Sequence, residues 1–353
     1  MKAVTVIPGQ SGSLKVCDVA DPTPEAEELL VEGIAIGVCG TDKEIVSGQY
    51  GWPPSGSDRL ILGHESLGRV RKAPDGSGFS VGDLVAGVVR RPDPVPCGAC
   101  GHGEFDMCRN GRYQERGIKE LPGYGSQLWC VPPDYAVRLA PELGRLGVLM
   151  EPTSVVAKAW EQVDRIGERS WFEPRTVLVT GAGPIGLLAA LIGVQRGLDT
   201  HVLDQVSDGP KPPLVRDLGA TYHSEDIDTV AGHLQPDVII EATGAGSVVF
   251  AALRNTATYG IICLTGVSPA GRRISVDAGS MNRDMVLEND VVVGSVSANQ
   301  RHYRQAADVL RHADARWLER LITRSVPLDK AADAFDPHDD DVKVIIEIGS
   351  LRG

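Results

Sequence analysis

Apolar and polar positions follow one rhythm in the first third of the chain and another beyond it. Lys2–Ile7, Leu29–Gly37, Leu60–Leu62 and Leu84–Val88 are short apolar or alternating runs punctuated by Gly and Pro, and they predict β-strands separated by turns. Arg91–Gly111 interrupts them with a Pro-, Gly- and Cys-rich excursion in which neither period is visible. After Met150 the pattern changes. Val155–Val163 predicts a helix, and strands then alternate with helices. The strands are Thr176–Thr180, Thr200–Asp204, Asp237–Ala242 and Ile261–Thr265; the helices between them are Ile185–Gln195, Leu214–Leu218 and Val248–Thr256. Such alternation predicts an α/β unit with a doubly wound parallel sheet. A helix over Tyr303–Arg311 and a strand over Lys343–Ile348 follow.

Within this frame, Gly181-Ala182-Gly183-Pro184-Ile185-Gly186 directly follows an apolar strand and opens a helix. Gly181 supplies a tight turn, Gly183 lets backbone approach a pyrophosphate, and Gly186 allows close helix–strand packing. Pro184 and Ile185 begin the helix whose N-terminus faces the anion. Asp204, at the end of the next strand, can accept hydrogen bonds from ribose hydroxyls and would repel a 2′-phosphate. No arginine follows in Gln205-Val206-Ser207-Asp208, so NAD is expected over NADP. The plainer alternative for Asp204 is a turn cap.

Three further segments carry metal-ligand types: Gly37-Val38-Cys39-Gly40-Thr41-Asp42, Gly63-His64-Glu65-Ser66-Leu67-Gly68 and Met150-Glu151-Pro152. Singly, each has an ordinary explanation: a small buried cysteine, an undecided His-Glu, a helix start. Together, before a nucleotide-binding half, Cys39, His64 and Glu151 fit a catalytic zinc with three protein ligands and one open position. Glu65 stands beside them as a base or an exchangeable ligand. Zinc that polarises an alcohol oxygen lets its proton leave near neutral pH, and hydride can then pass to a nicotinamide. Asp42 either orients the metal site or caps a turn.

Length and charge narrow the setting. The 353 residues are enough for two domains, and a net charge of −12 gives no reason to expect nucleic-acid or membrane binding. No apolar run approaches membrane-spanning length and no signal-peptide pattern is visible, so a cytoplasmic location is expected. The seven cysteines then read as thiols rather than disulfides. Cys97-Gly98-Ala99-Cys100 with Cys108 suggests a second metal site, but a closed structural zinc wants four ligands. Asp106 is the favoured fourth donor and His102 the other; a metal-free lobe is the competing expectation.

Together with Val81-Gly82-Asp83-Leu84-Val85, these segments resemble a zinc-containing member of the medium-chain alcohol dehydrogenase superfamily. The resemblance implies a partly opened β-barrel catalytic domain over residues 1–154, with the cysteine lobe at 91–111. It also implies a Rossmann domain over 155–296 and a segment, 297–353, returning to the catalytic domain. It implies that the Thr41 hydroxyl starts a proton relay, with Glu44 where some members have a histidine. Glu151 stands where other members have a second cysteine, as in polyol and sugar dehydrogenases. Many members fill the lobe with four cysteines; here Gly103 occupies the spacing of one of them.

Tyr113–Ile118, Val276–Gly279, Asn282–Leu287, Gly294–Val296 and His302–Tyr303 resemble archaeal-type glucose (aldose) 1-dehydrogenases. That implies oxidation at C1 of an aldose such as glucose to a lactone, with Glu115, Glu151 and His302 facing the sugar. It also implies a homo-dimer or homo-tetramer. The ordinary alternatives are a surface pair of Glu115 with Arg116 or Lys119, and a solvent-facing His302. A dehydrogenase of a polyol, cyclitol or other secondary alcohol is the second functional expectation. A catalytically silent NAD-binding regulator is the third.

Overall fold

A computed structural model describes residues 1–268 and 273–351. They form two compact units, Met1–Ser154 joined by the chain from Ser297 onward, and Val155–Val296. Among the described residues no helix is long and apolar enough to cross a membrane.

In the first unit the organising element is the strand Leu29–Val38, whose sequence LLVEGIAIGV is almost wholly apolar and so can be covered on both faces. Along one edge it pairs antiparallel with Glu65–Lys72. Along the other, Leu128–Val131 covers its first half and Lys343–Glu347 its second. Leu84–Gly87 and Ala136–Arg138 extend one flank and Ile322–Pro327 the other. The six-strand path through this seven-stranded sheet therefore has two ends, as an opened barrel requires. Two three-stranded sheets complete the unit, one built on Lys2–Val6 and the other on Gln114–Arg116. Tyr124 and Trp129 fill the core edge to face, their centroids 4.7 Å apart, and the Tyr124 hydroxyl donates to the Val88 carbonyl at 2.8 Å. Truncating either ring would cost about 3–5 kcal/mol by the usual large-to-small penalty.

Register does the rest. Gly37 stands opposite both Glu65 and Ile345, and Val38 opposite Val344. Cys39, Glu65 and Lys343 thus arrive at one end of three adjacent strands, although 278 residues separate the last two.

The second unit is a six-stranded parallel sheet in the order Thr221–His223, Asp199–Leu203, Thr176–Thr180, Val238–Glu241, Ile261–Leu264, Val291–Gly294. This is the dinucleotide-binding arrangement, and its order reverses beside Thr176–Thr180. Gly181 has φ +92°, and a Cβ on Gly186 would overlap the Gly181 carbonyl, so both positions demand glycine. The helix Pro184–Gln195 starts on Gly183, around which a side chain would meet nothing within 4 Å.

Several predicted boundaries move. The strand expected over Thr200–Asp204 is Asp199–Leu203, which leaves Asp204 just beyond its end. Arg91–Gly111 holds two short helical turns, Gly98–Gly101 and Phe105–Met107, too short to show a period. The helix Ala278–Glu288 was not predicted, because its apolar positions form no clear stripe. Asp277 fixes its start by accepting from the Ser280 N–H.

Candidate active site

The helix Gly40–Val46 begins where the strand Leu29–Val38 ends, and Cys39 is its N-cap. The cap geometry turns the Cys39 sulfur toward His64, whose Nε2 lies 3.1 Å away. Asp42 does both jobs its position allowed. Its Oδ2 accepts the Cys39 N–H at 3.0 Å, and its Oδ1 faces His64 Nδ1 at 3.3 Å. That second contact leaves Nε2 for the sulfur side, as an outer-shell carboxylate does for a metal-bound imidazole. Ligand atoms of Cys39, His64 and Glu65 all lie within 4.8 Å of one another. Glu65 owes its place to Gly37, because a Cβ there would overlap Glu65 Oε2. Lys343 grips the same carboxylate, its ammonium 2.6 and 2.7 Å from the two oxygens. Glu151, in the first turn of the helix Met150–Gly167, is buried beside this group and interacts electrostatically with His64, Glu65 and Lys343. Thr41 is half-buried in the first turn after Cys39, and Glu44 is exposed.

Burial sets the protonation states. It keeps the Cys39 thiol above its ordinary range, although His64 opposes this. It would also push His64 down, but the Asp42 carboxylate and Cys39 outweigh it and hold the imidazole well above its usual value. Burial lifts the Glu151 carboxyl to about 7; Glu65 adds to the effect, while His64 and Lys343 oppose it. Lys343 stays above its normal range despite burial, because Glu65 lies against it. Thiol, imidazole and carboxylate are zinc's donor types, so these residues fit the metal.

A second buried network links residues far apart in sequence. Arg90 donates to Glu115 Oε1 through Nε at 3.0 Å and Nη2 at 2.9 Å, and to the Asp106 carbonyl through Nη1 at 2.8 Å. Asp106 Oδ1 accepts from Asn299 Nδ2 at 2.7 Å. The Asn299 N–H donates to Nδ1 of His302, which is fully buried in the first turn of the helix Gln300–His312. Glu115 and His302 are thus neither a surface pair nor a solvent-facing ring.

The same network corrects the expectation for the cysteine lobe. Cys97, Cys100 and Cys108 do cluster, with Cys97 and Cys100 sulfurs 3.7 Å apart. Asp106 does not join them, because its carboxylate is drawn to Asn299. His102 is engaged locally, with Nδ1 2.7 Å from the Gly98 carbonyl. Asp93 closes the lobe instead, accepting from the Val95 N–H, Asn110 and Arg112 at 2.8–3.1 Å.

In the second unit, Asp204 Oδ2 accepts from the Ala182 N–H at 2.7 Å, inside the glycine turn, and from Lys211 at 3.1 Å. Its Oδ1 accepts the Val206 N–H at 3.2 Å. Sequence reasoning saw the missing arginine but not this lysine.

Residues 25–141 match the alcohol dehydrogenase GroES-like domain, and residues 144–348 the glucose dehydrogenase C-terminus. The chain is 42% identical to glucose 1-dehydrogenase of Methanocella arvoryzae, over 99% of this chain and 100% of that protein. It is 40% identical to the Thermoproteus tenax glucose 1-dehydrogenase, over 99% of each. Its fold matches that of Haloferax mediterranei glucose dehydrogenase in complex with NADP, Zn and gluconolactone, with a TM-score of 0.92 and 33% identity over 99% of this chain and 100% of that one. The chain belongs to the glucose dehydrogenase family. It is therefore a zinc-type oxidoreductase acting on CH–OH groups, with a nicotinamide cofactor.

Set against this family, the residues that sequence reasoning missed are those serving the ligands rather than acting as ligands. Lys343, Arg90 and Asn299 each hold a site residue through a buried polar contact. A lysine at the head of the apolar strand Lys343–Glu347 was the one visible signal.

The Glu151 shift gives a test on the metal-free protein. A carboxyl raised from 4.5 to about 7 on folding stabilises fully below 4.5, and that contribution is lost as pH climbs through about 7. The difference in thermal midpoint between metal-free wild type and Glu151→Gln should move in the variant's favour across that window. A flat difference would show that Glu151 is not held protonated by folding.

Proposed function

We propose that this chain oxidises C1 of a free aldose such as glucose with NAD, giving a lactone. What supports this most is the Cys39–His64–Glu65 group, with Glu151 beside it, in a chain similar to glucose 1-dehydrogenases over almost its whole length. Cys39, His64 and Glu151 would hold zinc, which when bound supplies Lewis-acid polarisation of the substrate oxygen. Asp42 keeps the His64 ring oriented with Nε2 inward. Thr41 offers the first hydroxyl to receive the proton leaving the sugar. Arg90 occupies only Oε1 of Glu115, and the other oxygen is the acceptor we assign to a sugar hydroxyl, with His302 beside the sugar.

For the cofactor, the turn Gly181–Gly186 presents backbone to the pyrophosphate, and Asp204 favours free ribose hydroxyls over a 2′-phosphate. Lys211 offsets part of that charge, so the preference for NAD should be modest, about tenfold in kcat/KM or ~1.4 kcal/mol. The cysteine lobe, whose loop Asp93 pins by accepting from Val95, Asn110 and Arg112, is proposed to keep its shape without metal. Self-association is proposed through Val291–Gly294, a free sheet edge with three half-buried valines and no charge or proline to blunt it.

Purified enzyme should turn over glucose or another free aldose with either cofactor, favouring NAD. Failure on every free aldose, with turnover of a polyol or cyclitol, would move the substrate to a secondary alcohol. Metal analysis should find one zinc per chain, and none in a Cys39→Ser variant that still binds NAD but has lost turnover; two would place an ion in the lobe. Light scattering should give an oligomer that Val292→Lys dissociates. A wild-type monomer would remove the edge-strand interface.

A further inference from the structure

Arg90 and Glu115 stand directly opposite each other on the antiparallel strands Arg90–Arg91 and Gln114–Arg116, which brings their side chains to one face. A guanidinium beside a carboxylate commonly forms two parallel bonds, one to each oxygen, and that geometry is the stronger one. Here the pair forgoes it. Nε at 3.0 Å and Nη2 at 2.9 Å both donate to Oε1. The guanidinium is kept from turning to share Oε2. Nη1 donates to the Asp106 carbonyl at 2.8 Å, and the guanidinium carbon lies over the Tyr113 ring, 3.8 Å from its centroid. Glu115 is fixed as well: its N–H donates to the Lys119 carbonyl, and its own carbonyl accepts from Ile118 and Lys119. Among the described residues no donor reaches Oε2, although Glu115 is only 6% exposed. Burial first, and then the Glu115 charge, keep the Tyr50 phenol above its ordinary range, and Tyr50 itself is exposed. The carboxylate thus lies near a surface from which a ligand can arrive. A carboxylate oxygen so placed wants a donor, and a ligand hydroxyl supplies one.

We propose that Arg90 is a specificity-determining residue, which makes Glu115 a one-oxygen acceptor that reads a single hydroxyl of the aldose. The inference rests on Glu115 as the sugar's acceptor. A carboxylate with both oxygens free can take two vicinal hydroxyls, one on each, and so select the configuration at two neighbouring carbons. With Oε1 filled by two charge-assisted bonds, only one carbon is read. A sugar lacking that hydroxyl leaves Oε2 without its donor and loses about 10- to 100-fold, the range for hydrogen bonds to charged groups. A sugar that lacks the adjacent hydroxyl, or carries it inverted, loses nothing through Glu115. The substrate class is therefore a set of aldoses alike at one hydroxyl and free to differ at its neighbour.

The zinc-loaded enzyme is assayed with NAD on its best free aldose and on the monodeoxy analogues of that sugar (for glucose, 2-, 3-, 4- and 6-deoxyglucose). The penalty at each position is the loss in kcat/KM on removing that hydroxyl, and its change in a variant isolates what the mutated residue contributes. Glu115→Gln should shrink the penalty about tenfold at one position and leave the others as they were. Arg90→Met, which frees Oε1, should add a penalty of about tenfold at an adjacent position. Combining it with Glu115→Gln should remove that new penalty, and Arg90→Lys, which keeps a donor for Oε1, should retain the wild-type profile. Should Arg90→Met not fold, the comparison of wild type with Glu115→Gln decides, since penalties that shrink at two adjacent positions would show both oxygens reading the sugar. That result, or a folded Arg90→Met that lowers every rate alike with its penalties unchanged, would overturn the role of Arg90. A Glu115→Gln profile identical to wild type would instead remove Glu115 as the sugar's acceptor. Wild type that turns over no free aldose would overturn the proposed reaction itself.

Discussion

Charge neutrality inside the first unit is the constraint on which the site depends. Cys39, Asp42, His64, Glu65, Glu151 and Lys343 crowd one end of three adjacent strands, and an unpaired charge there would be costly. Without metal the group balances itself. Asp42 faces His64, whose affinity for a proton it raises; Glu65 faces Lys343; Cys39 keeps its proton, and Glu151 holds one below about pH 7. Metal binding means exchanging protons on Cys39, His64 and Glu151 for a dication, which leaves the total nearly unchanged. Because those protons must leave, metal affinity should rise with pH.

That balance explains which parts of the site were legible. Cys39, His64 and Glu151 carry local signatures, because a ligand at the edge of a strand or helix needs particular neighbours: glycines, a cap, a helix start. Asp42 could be read as a cap or an orienting group, and the structure shows one carboxylate serving both through its two oxygens. Lys343 shows only its odd place at the head of an apolar strand, which names no partner. Its role exists only through the pairing of Lys343–Glu347 with Leu29–Val38, and register between strands so distant in sequence is not written in any window of it.

Asp106 shows the opposite failure. Counting positions around Cys97, Cys100 and Cys108 made it a natural fourth ligand, since it sits at the right distance along the chain. In three dimensions its carboxylate goes to Asn299, 193 residues away, and its carbonyl to Arg90. A buried carboxylate takes the best available donor, and a neutral amide fixed by its own helix cap is a better partner than a thiol cluster. Fold class was easier to read. Hydrophobic period survives changes of partner, so four of the six parallel-sheet strands were located to within a residue or two, whereas the short edge strands Thr221–His223 and Val291–Gly294 and the weakly striped helix Ala278–Glu288 were missed.

The nucleotide-binding unit applies the same logic more mildly. Glu241, at the end of the strand next to Thr176–Thr180, is fully buried, and its carboxylate accepts from Thr180, Thr243 and Gly244. It braces the loop at the switch point rather than offering charge to a ligand. Asp204 is different, being half-buried and bound on one side by the Ala182 N–H and on the other by Lys211. An acid so engaged is oriented but partly neutralised. Its power to reject a 2′-phosphate therefore depends on whether Lys211 stays with it or turns to the phosphate. A lysine on a flexible stem can make that switch; a backbone amide cannot. We therefore propose that the Asp204–Lys211 pair, rather than the acid alone, sets cofactor choice.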